Sequence, residues 1–96
     1  NLVIGGINRL LISPVIKHSL GKCGKAVKIG RGFRAFGIQN IEIGNDVYIG
    51  AKCVIMPVKV GEGAVIGAGS FVNKDLEPWG IYVGSPAKKI GEREKL

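Results

Sequence analysis

Aliphatic residues followed directly by glycine recur along the chain: Ile29-Gly30, Ile43-Gly44, Ile49-Gly50, Val60-Gly61 and Ile66-Gly67. Ile43, Ile49 and Ile55 stand six apart, as do Val60, Ile66 and Val72, and Cys23-Gly24 joins the series six before Ile29. Four residues after each aliphatic position comes a small or β-branched side chain (Val27, Val47, Cys53, Ala64, Ser70), with Phe33 the oversized exception. A period of six fits neither a helix nor one long strand. It fits a short strand and a turn, repeated. The aliphatic residue points inward, the glycine supplies an unusual backbone angle or a close approach, and the small residue lies under the corner. Stacked units then form parallel strands ~4.8 Å apart, each pairing with the coil above and below.

Two intervals break the period. Ile29 and Ile43 are fourteen residues apart, two more than two hexads, and Ile55 and Val60 are five apart, one short. At the short corner Pro57 runs directly into Val58. A one-residue slip exchanges inward and outward side chains, so either the coil tightens there or a stretch is missing between the Ile49-Gly50-Ala51 coil and the coils from Val60.

Composition narrows the class. Ninety-six residues make one domain, and 46% hydrophobic content excludes a disordered chain. Gly is abundant at 16 residues but follows no Gly-X-Y period, which excludes collagen. Aromatics at 6% favour many thin-cored strands over a helical bundle. A chain of this length buries only ~60–65% of its unfolded surface. Three to four coils therefore leave apolar flanks, and association is expected.

Charge is unevenly spread. Residues 1–41 carry Arg9, Lys17, Lys22, Lys25, Lys28, Arg31 and Arg34 with no acid, whereas the remainder is balanced. An anionic neighbour near that end, or a solvated basic face, would account for it. A nucleic-acid role lacks interleaved aromatics and is not favoured. Cys23 and Cys53 form no CxxC pair and read as buried thiols of a cytoplasmic protein. The apolar stretch from Leu2 to Ile16 is broken by Asn8-Arg9 and Pro14, too short for a membrane span, and lacks the features of a secretory leader.

Three regions result. Residues 1–22 show helical spacing of apolar side chains and predict an amphipathic helix kinked near Pro14. It would cap the first coil or, through residues 2–20, rest on a membrane surface. Residues 23–83 hold the coils. Residues 84–96 predict an exit loop and a short, solvated helical tail whose charges alternate in sign.

The segment Asn45-Asp46-Val47-Tyr48-Ile49-Gly50-Ala51 resembles the coil signature of the hexapeptide-repeat acyltransferases. The run from Val60 to Ser70, with Asn73-Lys74-Asp75 and Val83-Gly84-Ser85-Pro86-Ala87-Lys88, resembles their last coils and exit. The likeness spans about residues 23–90 and is strongest to O-acetyltransferases acting on sugars and cell-surface polysaccharides. It implies an all-β, single-stranded left-handed parallel β-helix assembled as a homotrimer. The handedness comes from the resemblance alone, since ordinary sterics favour right-handed crossovers.

The resemblance also implies acetyl transfer from acetyl-CoA, with no metal, to a saccharide hydroxyl in the cytoplasm or at the inner membrane face. The family's donor groove runs between protomers. Here Ala68 and Gly69 match positions against the pantetheine arm, Lys74 a lysine near the pantetheine or phosphates, and Pro86 with Lys88 and Lys89 the exit near the adenine and 3′-phosphate. A lysine suits phosphate as a point charge; surface charge and coil geometry are the plain alternatives. Tyr48 matches an aromatic lining the family's active site or simply packs.

The family's general base is a mid-helix His, suited by a pKa near working pH. The chain's single His, His18, precedes the first hexad. Three-His metal binding, known in a related branch, is therefore excluded. Asp46 and Glu62 at coil corners read as solvated, and Cys53 occupies an inward slot unsuited to a nucleophile. Trp79 is expected to cover the open end of the helix or to pack on a neighbouring protomer. Two functions follow: a sugar O-acetyltransferase, or a catalytically silent β-helix that binds CoA without a base.

Overall fold

The computed structural model describes residues 2–4 and 21–94. The chain winds through three faces, visiting them in the same order on every coil. The first face stacks β2 (Lys22–Cys23), β5 (Glu42–Ile43) and β8 (Lys59–Val60), with a parallel bridge from Val60 to Leu76 below. The second stacks β3 (Lys28–Ile29), β6 (Tyr48–Ile49), β9 (Val65–Ile66) and β11 (Gly80–Val83). The third stacks β4 (Phe33–Ala35), β7 (Val54–Ile55) and β10 (Phe71–Val72). Every pairing within these stacks is parallel, so the hexads predict the architecture correctly.

The interior is the column of residues that the period selected. Ile29, Ile43, Ile49, Ile55, Val60, Ile66 and Val72 are all buried, with Val27, Val47, Cys53, Ala64 and Ser70 in the small slots. Burial of each large aliphatic side chain contributes ~1.5–3 kcal/mol. Phe33 is fully buried too, and the exception has a local remedy: Ala35 takes the slot that Ile55 fills in the coil below. Large and small have exchanged places along β4, which keeps the filled volume nearly constant.

Both irregular intervals are absorbed at one corner, between the third and first faces. The long interval carries a single 3-10 turn at Ile38–Asn40, entered through Gly37 at φ 59°. The short interval turns through Met56, Pro57 and Val58, and Val58 and Val60 both remain buried. The coil therefore tightens, and β7 and β8 stay in parallel register with their neighbours. The two irregularities fit each other: a side chain at Gly37 would stand 2.6 Å from Pro57 Cγ.

The ends differ from the helical segments expected of them. Leu2–Ile4 forms β1, antiparallel on β4, where a helix was predicted; the rest of that prediction lies outside the described residues. At the other end Lys88–Glu92 forms β12, antiparallel on β11, in place of the helical tail. The physical reason is shared. A terminal coil presents unpaired backbone donors and acceptors, and an added strand satisfies them where a detached helix would not. The alternating charges of the tail serve this strand: Lys89 pairs with both Glu77 and Glu92 at 3.1 Å. Trp79 sits at the last corner between the first and second faces, its ring against Gly63 one coil above.

Candidate functional site

The corner between the second and third faces carries most of the donor-site candidates. Its left-handed position is held by Gly32, Lys52 and Gly69 in successive coils, at φ 74°, 59° and 73°. Ala68 and Gly69 are exposed there, and Gly69 donates its N–H to the Ala51 carbonyl at 2.8 Å. A side chain at Gly69 would meet nothing within 4 Å, so the corner is open to a ligand's close approach.

Pro86, after a cis Ser85–Pro86 peptide, lies in the coil beneath. Ser70 ties the two levels together. It is 1% exposed, its Oγ donates to the Gly67 carbonyl at 2.7 Å and accepts the Gly84 N–H at 3.2 Å. The Phe71 N–H donates to the Gly84 carbonyl and the Ala87 N–H to the Phe71 carbonyl, closing residues 84–87 against this corner. Lys88 opens β12 opposite Val83. Ala68, Gly69, Pro86 and Lys88 are thus brought to one edge. Lys74 is not: it lies past Val72, at the corner where the third face turns into the first, and is exposed.

Higher on the same edge is a groove of about 450 Å³ lined by Gly32, Arg34, Lys52 and Val54. Sequence reasoning counted Arg34 only as part of the unbalanced basic half and passed over Lys52, although aligning the hexads would have shown Lys52 in a slot otherwise held by glycine. Tyr48 is 47% exposed on the second face and lines a different, smaller groove with Lys28, Asp46 and Arg93. Asp46 and Glu62 stand at the corner between the first and second faces, away from the open edge. Cys53 is buried with its Sγ 3.2 Å from the Gly67 carbonyl. Loss of hydration pushes its thiol pKa up, against the opposing effect of nearby backbone N–H groups, which argues against a nucleophile. Residues 21–94 contain no His, and His18 lies outside the described residues.

A stack of hexad coils with an open, small-residue corner defines a class: the parallel β-helix built on hexapeptide repeats. Comparison with known proteins agrees. The family model for the hexapeptide repeat of succinyl-transferase matches residues 40–74. A chloramphenicol acetyltransferase of Klebsiella aerogenes is 56% identical over 55 residues, covering 56% of this chain and 26% of that protein.

Among solved structures, a galactoside acetyltransferase in complex with coenzyme A superposes with a TM-score of 0.69 at 31% identity, covering 76% of this chain and 45% of that one. AntD, an N-acyltransferase from Bacillus cereus solved with dTDP-4-amino-4,6-dideoxyglucose and coenzyme A, superposes at 0.56 with 31% identity, covering 97% of this chain and 44% of that one. A coil of the opposite hand would not superpose on these structures, so the winding is the left-handed one the resemblance implies. The chain is a hexapeptide-repeat β-helix similar in sequence and fold to acetyltransferases of that class. It spans about a quarter of the length of the chloramphenicol acetyltransferase it matches.

Proposed function

We propose that the chain is an acetyl-CoA-binding β-helix of an O-acetyltransferase, with a saccharide hydroxyl as acceptor. The observation that carries this reading is the open edge formed by Ala68, Gly69 and Pro86, which leaves room for an extended thioester arm beside exposed backbone. Lys88 at the same edge, and Lys74 one corner away, supply positive charge for phosphates. The galactoside acetyltransferase neighbour, solved with coenzyme A, supports the donor and the acceptor class.

In the reaction the acceptor oxygen attacks the thioester carbonyl carbon, a base removes the hydroxyl proton, and the C–S bond breaks as CoA leaves and takes up a proton. Residues 21–94 offer no imidazole for the base, so their part is donor binding and positioning. A second acceptor class, the hydroxyl of an antibiotic, is favoured by the 56% identity to a chloramphenicol acetyltransferase. We read the assembly as a homotrimer, because outward Tyr48, Val65 and Ile81 on one face and Val54 and Phe71 on another call for cover. A cytoplasmic location, with or without membrane contact through residues 2–20, fits a donor made in that compartment.

Calorimetry with CoA tests the donor site. The parent chain is expected to bind and Lys88→Ala to bind several-fold more weakly; absence of binding to the parent overturns the reading. Thiol release from acetyl-CoA with galactosides, maltose and chloramphenicol then separates the acceptor classes. Binding without release for any acceptor would leave a silent CoA-binding scaffold.

A further inference from the structure

The seven carboxylates of the chain are distributed with a clear bias. Glu42 and Asp75 lie on the first face, where Lys22, Glu42 and Lys59 stand in register and the Lys59 N–H bonds Asp75 Oδ1 at 2.9 Å. Asp46, Glu62 and Glu77 lie at the corner between the first and second faces, and Glu92 and Glu94 at the end of β12 and just beyond it. None lies on the third face or on the corner leading into it. That region instead holds Arg31, Arg34 and Lys52, and among the described residues no carboxylate pairs with any of the three.

Lys52 is held in place by the backbone. It occupies the left-handed corner at φ 59° where the coils above and below use glycine. A side chain there costs ~1–2 kcal/mol. Its N–H is bonded to the Arg31 carbonyl at 2.6 Å, and its Cγ lies 3.0 Å from where a Cβ on Gly32 would be, so the lysine stem runs across the bare Gly32 backbone. Arg34, the outward middle residue of β4, lines the same groove. Two cationic residues lining one cleft, with no acid among the described residues paired to either, concentrate positive potential there.

We propose that Arg34 and Lys52 form an oxyanion subsite, flanked by Arg31, that receives a phosphate or carboxylate carried by the acceptor. The acceptor would then be an anionic saccharide. Arg34 suits a bidentate contact with such a group and Lys52 a point contact. The cleft lies above Ala68 and Gly69 on one edge, so an acceptor anchored by its charge would extend a hydroxyl toward a thioester held lower down. Naming the acceptor class rests on the acetyl-transfer reading; the anion subsite itself does not.

The test is calorimetry at low ionic strength with galactose 1-phosphate, galacturonate and uncharged galactose, and separately with CoA. The variants are Arg34→Ala and Lys52→Gly, alone and combined; glycine suits the left-handed corner. The parent is expected to bind one of the charged sugars more tightly than galactose, and the double variant to lose roughly tenfold in that affinity while CoA affinity stays within about twofold. Binding of the charged sugars that is absent in the parent, or unchanged in the double variant, overturns the proposal. An equal loss of CoA affinity also overturns it, because the cations would then serve the donor's phosphates. Failure of the parent to bind CoA, with sugar binding lost in the double variant, would sink the acetyl-transfer reading and leave the subsite standing.

Discussion

The guanidinium of Arg93 lies 5.7 Å from the centre of the Trp79 indole, and its Nη1 donates to two carbonyls, Asp46 at 2.8 Å and Gly63 at 3.3 Å. These partners belong to three successive coils. Arg93 itself follows β12, and its N–H donates to the Trp79 carbonyl at 2.6 Å. One residue therefore staples the terminal strand to the body of the prism, by cation–π attraction and charge-assisted bonds. Replacing Arg93 with Ala is expected to cost ~1–3 kcal/mol of stability and to raise hydrogen exchange at Lys88–Glu92 well above that at β9. Lys at the same position should recover little, since it lacks the planar fork.

Gly63 is the floor on which Trp79 lies. A methyl group there would run into the indole ring, and the backbone is left-handed at φ 71°. Gly63→Ala should destabilise by ~1–3 kcal/mol, and tryptophan fluorescence should shift to the red as the ring is displaced. Gly69→Ala keeps a similar φ but meets no neighbour, so its cost should be smaller, and the difference measures the indole contact.

The exchange along β4 can be tested by reversing it. Phe33→Cys alone leaves a cavity costing ~3 kcal/mol, and Ala35→Ile alone overpacks by ~1–3 kcal/mol. The double variant reproduces the Cys53 and Ile55 arrangement of the next coil. Its cost in urea unfolding should be clearly less than the sum of the single costs.

Burial pushes the Cys53 thiol up, so the folded chain keeps its proton at pH values where the unfolded chain has lost it. The folded state then binds more protons, and stability falls as pH rises past about 9, where an ordinary thiol ionises. Below that value the thiol adds no pH dependence. Unfolding midpoints between pH 8 and 10 should decline in the parent and decline less in Cys53→Ala. Iodoacetamide should label Cys53 slowly in the folded protein and quickly in urea.

Much of the open edge proposed for the donor was legible because its placement follows from register. Once the hexads are counted, Ala68 and Gly69 must fall at a corner and Ser85-Pro86 one level below. Lys74 was grouped with them by resemblance, yet four residues past Ser70 the chain has already crossed the third face. The groove of Arg34 and Lys52 was hidden for the opposite reason. The two residues are eighteen apart in the chain, and only the stacking of coils brings them to one cleft.

Side chains of alternating direction and a period of six are local properties, so the chain by itself determined the prism, its interior and the corners where glycine is needed. The terminal strands and the Arg93 staple are different. Residues 88–92 carry charges that suit an exposed helix as well as an edge strand, and Leu2–Ile4 is equally ambiguous. What decides them is the row of unpaired backbone groups on β11 and β4. That row exists only after the coils have stacked, and no window of sequence contains it.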